Sequence, residues 1–347
     1  MLYTCFERAQ NILHFRNKKA VLTYIFGIAN VSEVSMYSIG IDLGGTNIAA
    51  GIVDEKGNIL KKLSTPTEQN GGYEKIVKDM VHLSFKLVDE AKLTLDDIKG
   101  VGIGCPGSID YKNKAVAYSN NLVMDNAPIA EEFKKYWDIP VEIENDANVA
   151  AYGEYVANGD NSQVFVAITL GTGVGGGVII DGNVFRGSNG AGAELGHISL
   201  VHNGEPCSCG RKGCWESYAS ATALIAQTKA AIEKNPESLL AKLAEENGGV
   251  NGKIAFDAAA EGDKIAKAVV DKYIEYVADG LVSIVNIFQP NKVVIGGGIS
   301  NQGEALVVPI REYVKKYDYN RHFTPVEIEI ASLKNDAGII GAAMLVI

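Results

Sequence analysis

A histidine and three cysteines lie at a spacing that suits a bound metal ion. His197 is followed by Cys207, Cys209 and Cys214 in the pattern H-x9-C-x-C-x4-C. One imidazole and three thiolates complete a tetrahedral zinc shell without an open position, which is typical of structural sites. The cation would also offset the repulsion and desolvation of three thiolates. The pattern therefore predicts structural Zn²⁺, with free thiols or a redox role for the C-x-C pair as the alternatives.

Three carboxylates lie close to candidate binding elements. Glu194 precedes His197 by three residues and Glu216 follows Cys214 by two, so a zinc knot would hold both side chains rigidly, as the binding of a polyol requires. Asp146 stands between an apolar strand and an apolar helical pattern. It is either the N-cap of that helix or, beside a phosphate-binding loop, the general base for a hydroxyl nucleophile.

Two glycine-rich turns could hold phosphate groups. The first joins two apolar segments through Gly44, Gly45, Thr46 and Asn47, and Asp42 stands just before it. Glycines let backbone N–H groups approach an anion closely, the threonine hydroxyl can donate to a phosphate oxygen, and the aspartate can hold Mg²⁺ directly or through water. Taken alone, such a turn is more often a tight hairpin without a ligand.

A second turn of the same kind favours phosphate binding over a hairpin without a ligand. It contains Gly171, Thr172 and Gly173, and two facing N–H cradles are what a polyphosphate requires. The chain has no G-x-x-x-x-G-K-[ST] pattern, which excludes a P-loop nucleotidase. A glycine run that starts with Gly296 and Gly297 offers a flat backbone for an adenosine to lie against.

Both turns belong to a hairpin that the sequence uses twice, over residues 39–58 and 167–183, which predicts a ligand held between two halves. Apolar patterns predict strands at 38–43, 48–53, 59–64, 101–104, 141–144, 164–170, 175–180, 292–295 and 326–330. Helical spacing predicts helices at 73–92, 128–137, 147–157, 264–288, 305–317 and 337–346. We expect an α/β protein of two domains, 37–145 with the C-terminal helix 335–347, and 146–334 with the zinc knot.

Composition narrows the class of protein. The chain of 347 residues has 47% hydrophobic and 21% charged residues, which excludes a disordered or fibrous protein. A formal net charge of −10 gives no electrostatic help to nucleic acid or an anionic membrane, so neither is expected as a partner. Five cysteines in a chain of this size argue against a disulfide framework and favour a reducing compartment.

Residues 1–36 have the pattern of an extension. Basic residues precede an apolar run at 20–31, as in a signal peptide, but the run is too short to span a bilayer and no A-x-A-type cleavage site follows it. Met36 comes directly before the first clear strand. We therefore expect folding from Met36 and a cytoplasmic protein.

Together the motifs resemble those of the ROK (repressor, open reading frame, kinase) family of sugar kinases, which has an actin-like, ribonuclease H-like ATPase fold with a ligand cleft between two domains. The matching pieces are DLGGTN at 42–47, CPGSID at 105–110, ENDAN at 144–148, TLGTGVGGG at 169–177, GAELGH at 192–197, C-x-C-G-x-x-G-C-x-E at 207–216 and VIGGGIS at 294–300. The resemblance covers residues 37–347 and is strongest to the bacterial glucokinases.

The resemblance implies a role for each candidate residue. Asp146 would take the proton from the sugar 6-hydroxyl, and His197 would place one ring nitrogen on zinc and the other on the sugar. The two glycine turns would hold the phosphates of ATP, with Asp42 on the Mg²⁺ side, and domain closure would exclude water from the γ-phosphate. The sugar hydroxyls would be bound by Asn121, Asn145, Asp146, Glu194, His197 and Glu216.

The leading hypothesis is ATP-dependent phosphorylation of glucose at the 6-hydroxyl by a homo-oligomer, since dimers and tetramers are common in the family. Kinases for another hexose or N-acetylhexosamine (N-acetylmannosamine, N-acetylglucosamine, fructose or allose) are alternatives, which the room beside the sugar 2-position would separate. Met124 stands where glucokinases usually have a tryptophan, which is a departure in the sugar-side wall. Polyphosphate could replace ATP in similar cradles. The net negative charge of the chain and the presence of Asp146 argue against a ROK-type sugar-responsive repressor.

Overall fold

Alternating apolar side chains from Tyr37 onward form the strands of two large sheets. The computed structural model describes residues 36–320 and 322–347, so the interpretation of residues 1–35 lies outside the described residues. The strands are β1 (Tyr37–Leu43), β2 (Asn47–Val53), β3 (Ile59–Pro66), β4 (Ile98–Cys105), β5 (Ser108–Asp110), β6 (Ala115–Ser119), β7 (Met124–Ala127), β8 (Val141–Asn145), β9 (Val164–Leu170), β10 (Val174–Ile180), β11 (Asn183–Val184), β12 (Lys292–Gly296) and β13 (Glu327–Ile330). The α-helices are α1 (Gly72–Glu90), α2 (Ile129–Lys134), α3 (Asp146–Ala157), α4 (Glu216–Ala219), α5 (Ala221–Lys234), α6 (Leu239–Glu246), α7 (Ile254–Ala260), α8 (Lys264–Phe288), α9 (Glu304–Tyr317) and α10 (Ala337–Met344).

The two five-stranded sheets share one topology. The first has the order β3-β2-β1-β4-β8 and the second has the order β11-β10-β9-β12-β13. In each sheet an antiparallel hairpin, β1 with β2 or β9 with β10, is followed by two parallel pairings. The structure therefore contains the internal repeat that the two glycine turns predict.

Each sheet has its own apolar core. Ile39, Ile41 and Leu43 of β1 are fully buried in one cluster with the apolar face of α1. Behind the second sheet, the fully buried Trp215 donates its indole N–H to the Tyr276 carbonyl of α8 at 2.8 Å. The two sheets therefore have separate cores, while the division into two domains and its bounds stay a prediction.

Two helices cross between the sheets. Each follows a strand of one sheet in sequence but packs mainly against the other sheet. Helix α3 follows β8 of the first sheet but packs on β9 and β10 of the second, whereas α10 follows β13 and packs on β1, β2 and β4. The helices approach so closely that a Cβ at Gly153 would overlap the Ala337 carbonyl, and one at Gly341 would overlap the Val149 carbonyl. Glycine is therefore required at this crossing for steric reasons.

The α/β class is confirmed, and most predicted elements are present with ends shifted by a few residues. The helix predicted at 264–288 has those bounds, because the Asp263 side chain accepts the N–H groups of Ile265 and Ala266 at 2.7 and 2.9 Å and begins the helix there. The helix predicted at 128–137 is shorter and ends at Lys134. No pattern predicts the third sheet, β5-β6-β7, because its strands are short and do not alternate.

Among the described residues, no helix combines the length and the apolar character that a bilayer crossing needs.

Candidate active site

A cavity of about 1460 Å³ is lined by residues from both large sheets and from the segments that follow their strands. It brings together most of the residues that the sequence predicts for the site. These are Asp42, Asn121, Asn145, Asp146, Gly171, Thr172, Gly173, Glu194, His197, Cys207, Glu216, Gly296 and Gly297. The predicted residues that do not line it are Gly44, Gly45, Thr46, Asn47, Cys209 and Cys214.

The first glycine turn is a tight hairpin end next to the Asn121 loop. The Gly44 N–H donates to the Asn47 carbonyl at 2.9 Å, and Thr46 and Asn47 are exposed. The Gln69 amide donates to the carbonyls of Gly45 and Asn121 at 2.6 and 3.0 Å. Gln69 therefore joins the predicted phosphate turn to the predicted sugar-binding loop.

The second glycine turn is held from behind by Glu216. The Gly171 N–H donates to the Gly173 carbonyl at 3.0 Å, and the Val174 N–H donates to Glu216 Oε2 at 3.1 Å. A Cβ at Gly173 would overlap the Glu216 carboxylate. Glu216 thus lines the cavity and also fixes the backbone of this turn, a contact that its predicted role in sugar binding does not include.

Asp146 is not the N-cap of helix α3. Asn145 takes that position, and its side-chain oxygen accepts the N–H groups of Ala147 and Asn148 at 2.9 and 3.2 Å. Asp146 is the first helical residue, and its Oδ1 accepts the Ala147 N–H at 2.9 Å. The capping alternative is therefore wrong, since Asn145 satisfies the helix end and leaves the second Asp146 oxygen without a capping role.

Burial raises the pKa of both aspartates in the cavity. The pKa of Asp146 lies above its ordinary value because of desolvation, which outweighs the backbone N–H bonds that favour the charged form. The pKa of Asp42 is raised to about 6 by desolvation and by the charge of Asp146. The Asp42 carboxylate lies against Gly338 of α10, where an added Cβ would be 2.9 Å from Cγ. Two desolvated carboxylates that repel each other form a donor set that suits a hard cation such as Mg²⁺.

A fully buried glutamate fixes the segment that carries Asp146. Glu144 accepts hydrogen bonds from Arg186 Nε at 2.6 Å, from the Asn145 N–H at 2.8 Å and from Asn148 Nδ2 at 3.0 Å, as well as from the Tyr111 hydroxyl. Its four donors come from three separate parts of the chain. The Arg186 guanidinium also lies over the Tyr111 ring, 4.6 Å from its centroid. Because Arg186 follows strand β11 of the second sheet, this network connects the two sheets beside Asp146.

The histidine and the three cysteines meet as predicted. The ligand atoms of His197, Cys207, Cys209 and Cys214 all lie within 4.8 Å of one another. The Cys209 and Cys214 sulfurs are 3.6 Å apart, and His197 Nδ1 is 3.6 Å from the Cys207 sulfur. A tetrahedral zinc with Zn–S bonds of about 2.3 Å needs ligand atoms roughly 3.8 Å apart, so the donor set and its spacing fit zinc.

The cysteine cluster also contacts the second glycine turn through one side chain. Glu216 Oε1 accepts from Ser208 Oγ at 3.3 Å and lies 3.7 Å from the Cys207 sulfur, while its Oε2 accepts from Val174. The ring of His197 forms part of the cavity wall. A metal at the cluster would therefore order two residues of the cavity, His197 and Glu216.

A sequence model of the ROK family matches residues 38–347. The chain belongs to the ROK family. It is 39% identical over 310 residues to a glucokinase of Thermotoga maritima, an alignment that covers 89% of this chain and 96% of the relative. The structure of a ROK family glucokinase from Streptomyces griseus in complex with glucose and AMPPNP matches with a TM-score of 0.75 and 34% identity, covering 89% of this chain and 98% of the other.

A xylose repressor of Caldicellulosiruptor bescii is also similar, at 30% identity over 89% of this chain and 77% of the repressor. The likeness to ROK structures confirms the actin-like ATPase fold that the motifs imply. Membership alone does not separate kinase from repressor, so this chain's own residues must do so.

Three residues of this ROK site carry no signal in the sequence. Gln69, Tyr111 and Arg186 are ordinary polar residues outside the family motifs, and each acts through partners distant in the chain. Arg186 and Glu144, for example, are 42 positions apart. Only the topology of the sheets brings such pairs together.

Arg186→Gln is expected to lower the free energy of unfolding by about 2 kcal/mol, because it leaves Glu144 buried without its cation. This value is below the roughly 3–5 kcal/mol of a fully buried pair, because the Arg186 side chain is 42% exposed. Glu144→Gln should also destabilise, and the double variant should be more stable than the sum of the two losses by about 1 kcal/mol or more. Urea unfolding of the wild type, the two single variants and the double variant measures the four free energies of unfolding that this double-mutant cycle needs.

The exposed pair of Lys62 and Asp336, with a 2.7 Å contact, is the control and should show a coupling energy below about 1 kcal/mol. Additive losses at Glu144 and Arg186 would contradict the role of this pair.

Asp42→Asn is expected to stabilise the metal-free protein near neutral pH. The folded-state pKa of Asp42, about 6, lies above the ordinary 3.8, so folding favours the protonated form. The stability from this group is present below about pH 4 and is lost as the pH rises through about 6. By neutral pH the variant should exceed the wild type by roughly 2–3 kcal/mol.

Thermal melts of both proteins in EDTA across this range measure the difference. A difference that does not vary with pH would show that Asp42 has an ordinary pKa.

Proposed function

We propose that this ROK protein transfers the γ-phosphoryl group of ATP to the 6-hydroxyl of glucose. The observation that carries the proposal is Asp146, a carboxylate freed from capping and placed in the same cavity as Asp42 and the second glycine turn. A repressor needs a sugar site but no general base beside a phosphate site. The similar chains named glucokinase support the same activity.

On the sugar side, Asp146 accepts the proton of the 6-hydroxyl as its oxygen attacks the γ-phosphorus. The bond from that phosphorus to the β–γ bridging oxygen breaks, and ADP leaves with the electron pair. Asp146 must be ionised for this step. Desolvation raises its pKa, and the N-terminus of helix α3 and the Ala147 N–H limit that rise by favouring the charged form. The Glu144 network holds the backbone on both sides of Asp146, which keeps the base in position.

On the donor side, the backbone of the second glycine turn, which lines the cavity, holds the phosphates. The first turn does not line the cavity, so its predicted part in phosphate binding is left out of the proposal. Mg²⁺ held near Asp42 would neutralise charge on the β- and γ-phosphate oxygens. Gly297 lies against the Leu170 backbone, so the glycine run at the end of β12 is next to the second turn. An adenosine against Gly296 and Gly297 would therefore have its phosphates directed toward that turn.

The preference among sugars depends on the part of the cavity wall that contains Asn121, Glu194 and His197. Met124, which stands where glucokinases usually have a tryptophan, is buried in the first core and does not line the cavity. It therefore gives no reason to prefer another hexose, and the similar chains named glucokinase favour glucose. A dimer or tetramer remains a prediction.

The activity is tested by following ADP formation with glucose, N-acetylmannosamine, N-acetylglucosamine, fructose and allose. We expect the highest kcat/KM with glucose. Asp146→Asn should lower kcat by about 10²–10⁴-fold, because the proton has no acceptor, while calorimetry shows glucose binding retained.

Asp125→Asn, an exposed aspartate outside the cavity, is the control and should leave kcat unchanged. No sugar-dependent ADP formation by the wild type would overturn the proposed function, and full activity of Asp146→Asn would remove Asp146 as the base.

We further propose that the cluster of His197, Cys207, Cys209 and Cys214 holds one structural Zn²⁺. Metal analysis should find about one zinc per chain, and Cys209→Ser should lose it because the shell then lacks a thiolate. Since the cluster includes His197 and contacts Glu216, loss of zinc should raise the KM for glucose and for ATP and lower the melting temperature.

Cys105→Ala, a change at a buried cysteine outside the cluster, is the control and should retain the metal. A metal-free protein with unchanged melting temperature and unchanged KM values would contradict a structural zinc.

A further inference from the structure

The cavity is strongly acidic, which is unfavourable for a polyphosphate donor. Six carboxylates line it: Asp42, Asp146, Glu154, Glu194, Glu205 and Glu216. Among the described residues that line it, Lys334 is the one lysine or arginine. A nucleoside triphosphate adds further negative charge, and neither glycine turn supplies a full positive charge. The single lysine therefore needs an explanation.

Lys334 lies between the glycine run and Asp42. The segment that contains it begins at Ala331, whose Cβ is 3.3 Å from where a Cβ on Gly296 would be. It ends at Gly338, against the Asp42 carboxylate. The segment therefore runs along the cavity wall from the predicted adenosine surface to the predicted Mg²⁺ side. Non-transferred phosphates of a donor would occupy the space between these two points.

The backbone around Lys334 is firmly anchored. Glu154 accepts the N–H groups of Ser332 and Leu333 at 3.0 and 2.7 Å, and Asp336 pairs with Lys62 at 2.7 Å. The Lys334 side chain, in contrast, is exposed and has no hydrogen-bond or ion-pair partner among the described residues. A fixed backbone thus presents a free ammonium group at the cavity wall.

Lys334 has a left-handed backbone conformation, which it shares with Lys92 and Lys114. Its φ is +53°, in the left-handed region that side chains other than glycine adopt at a cost. Strain of this kind is found at functional sites more often than elsewhere. Glycine would adopt this conformation more easily, so the backbone conformation alone does not account for a lysine here.

We propose that Lys334 binds the non-transferred phosphates of the donor, as the one full positive charge among the described residues that line the cavity. The inference rests on the proposed function for the identity of the donor. An ammonium group with three donors and a flexible stem suits a mobile phosphate oxygen. Lys334 therefore sets the affinity for the phosphate chain, whereas Asp146 and the sugar wall set the chemistry.

Titration calorimetry with ATP, ADP and adenosine tests the proposal on the full chain. Lys334→Gln should weaken ATP and ADP binding about tenfold, the order expected for one charge-assisted hydrogen bond. Adenosine binding should not change, because adenosine has no phosphate. Lys334→Arg keeps the positive charge and should bind ATP and ADP about as tightly as the wild type. In turnover assays, Lys334→Gln should raise the KM for ATP and leave the KM for glucose unchanged.

Lys92 provides a matched control. It is an exposed lysine with φ +57° at the end of α1, outside the cavity. Lys334→Gly and Lys92→Gly should each raise the melting temperature by about 1–3 °C, because glycine tolerates this conformation. Only Lys334→Gly should also weaken ATP binding, so stability and affinity change in opposite directions at Lys334 alone.

ATP and ADP affinities of Lys334→Gln within twofold of the wild type would overturn the proposal. An equal loss of adenosine affinity in Lys334→Gln would also overturn the proposal, because the substitution would then have changed the shape of the cavity wall rather than a contact with phosphate. Inorganic tripolyphosphate as the probe separates the two donor sources. Tighter binding of tripolyphosphate than of ATP by the wild type, lost in Lys334→Gln, would assign the contact to a polyphosphate donor. Because binding is measured directly, the result stands even if the wild type phosphorylates no sugar.

Discussion

The close crossing of helices α3 and α10 is the constraint on which the rest of the molecule depends. Each helix belongs by sequence to one sheet and by packing to the other, and glycines at Gly153 and Gly341 let the backbones touch. The first residue of α3 is Asp146, and the first turn of α10 contains Gly338 against Asp42. The crossing therefore sets the relative position of the two aspartates, and with it the geometry available to a sugar and a phosphate.

The electrostatics of the cavity follow from that arrangement. Burying Asp42 and Asp146 together raises the pKa of both carboxyls, which costs stability in the absence of ligands. The same repulsion favours binding of a cation. Asn145 reduces the demand on Asp146 by capping the helix, and Glu144 with Arg186 fixes the surrounding backbone. The empty cavity therefore lowers the stability of this protein, and its charges are already in place before a ligand binds.

The sequence predicts what is local and misses what the topology creates. The glycine turns and the long helices depend on neighbours within a few positions, and the metal cluster lies within one short segment, from His197 to Cys214, so each can be recognised in the sequence. The contacts of Gln69, Tyr111 and Arg186 join segments far apart in sequence and have no local pattern. The choice between cap and base at Asp146 was open for a related reason, because two adjacent polar residues, Asn145 and Asp146, fit the cap equally well by type.

The shared topology of the two sheets has a consequence for how the halves diverged. A duplicated unit supplies two equivalent helix starts, one after β8 and one after β13. The helix start after β8 carries an acid, Asp146, which lines the cavity. The helix start after β13 carries the small residues Ala337 and Gly338, which line the same cavity, and Lys334 precedes them. The repeat is therefore one of backbone topology alone, because the two equivalent positions bring different chemical groups to one cavity.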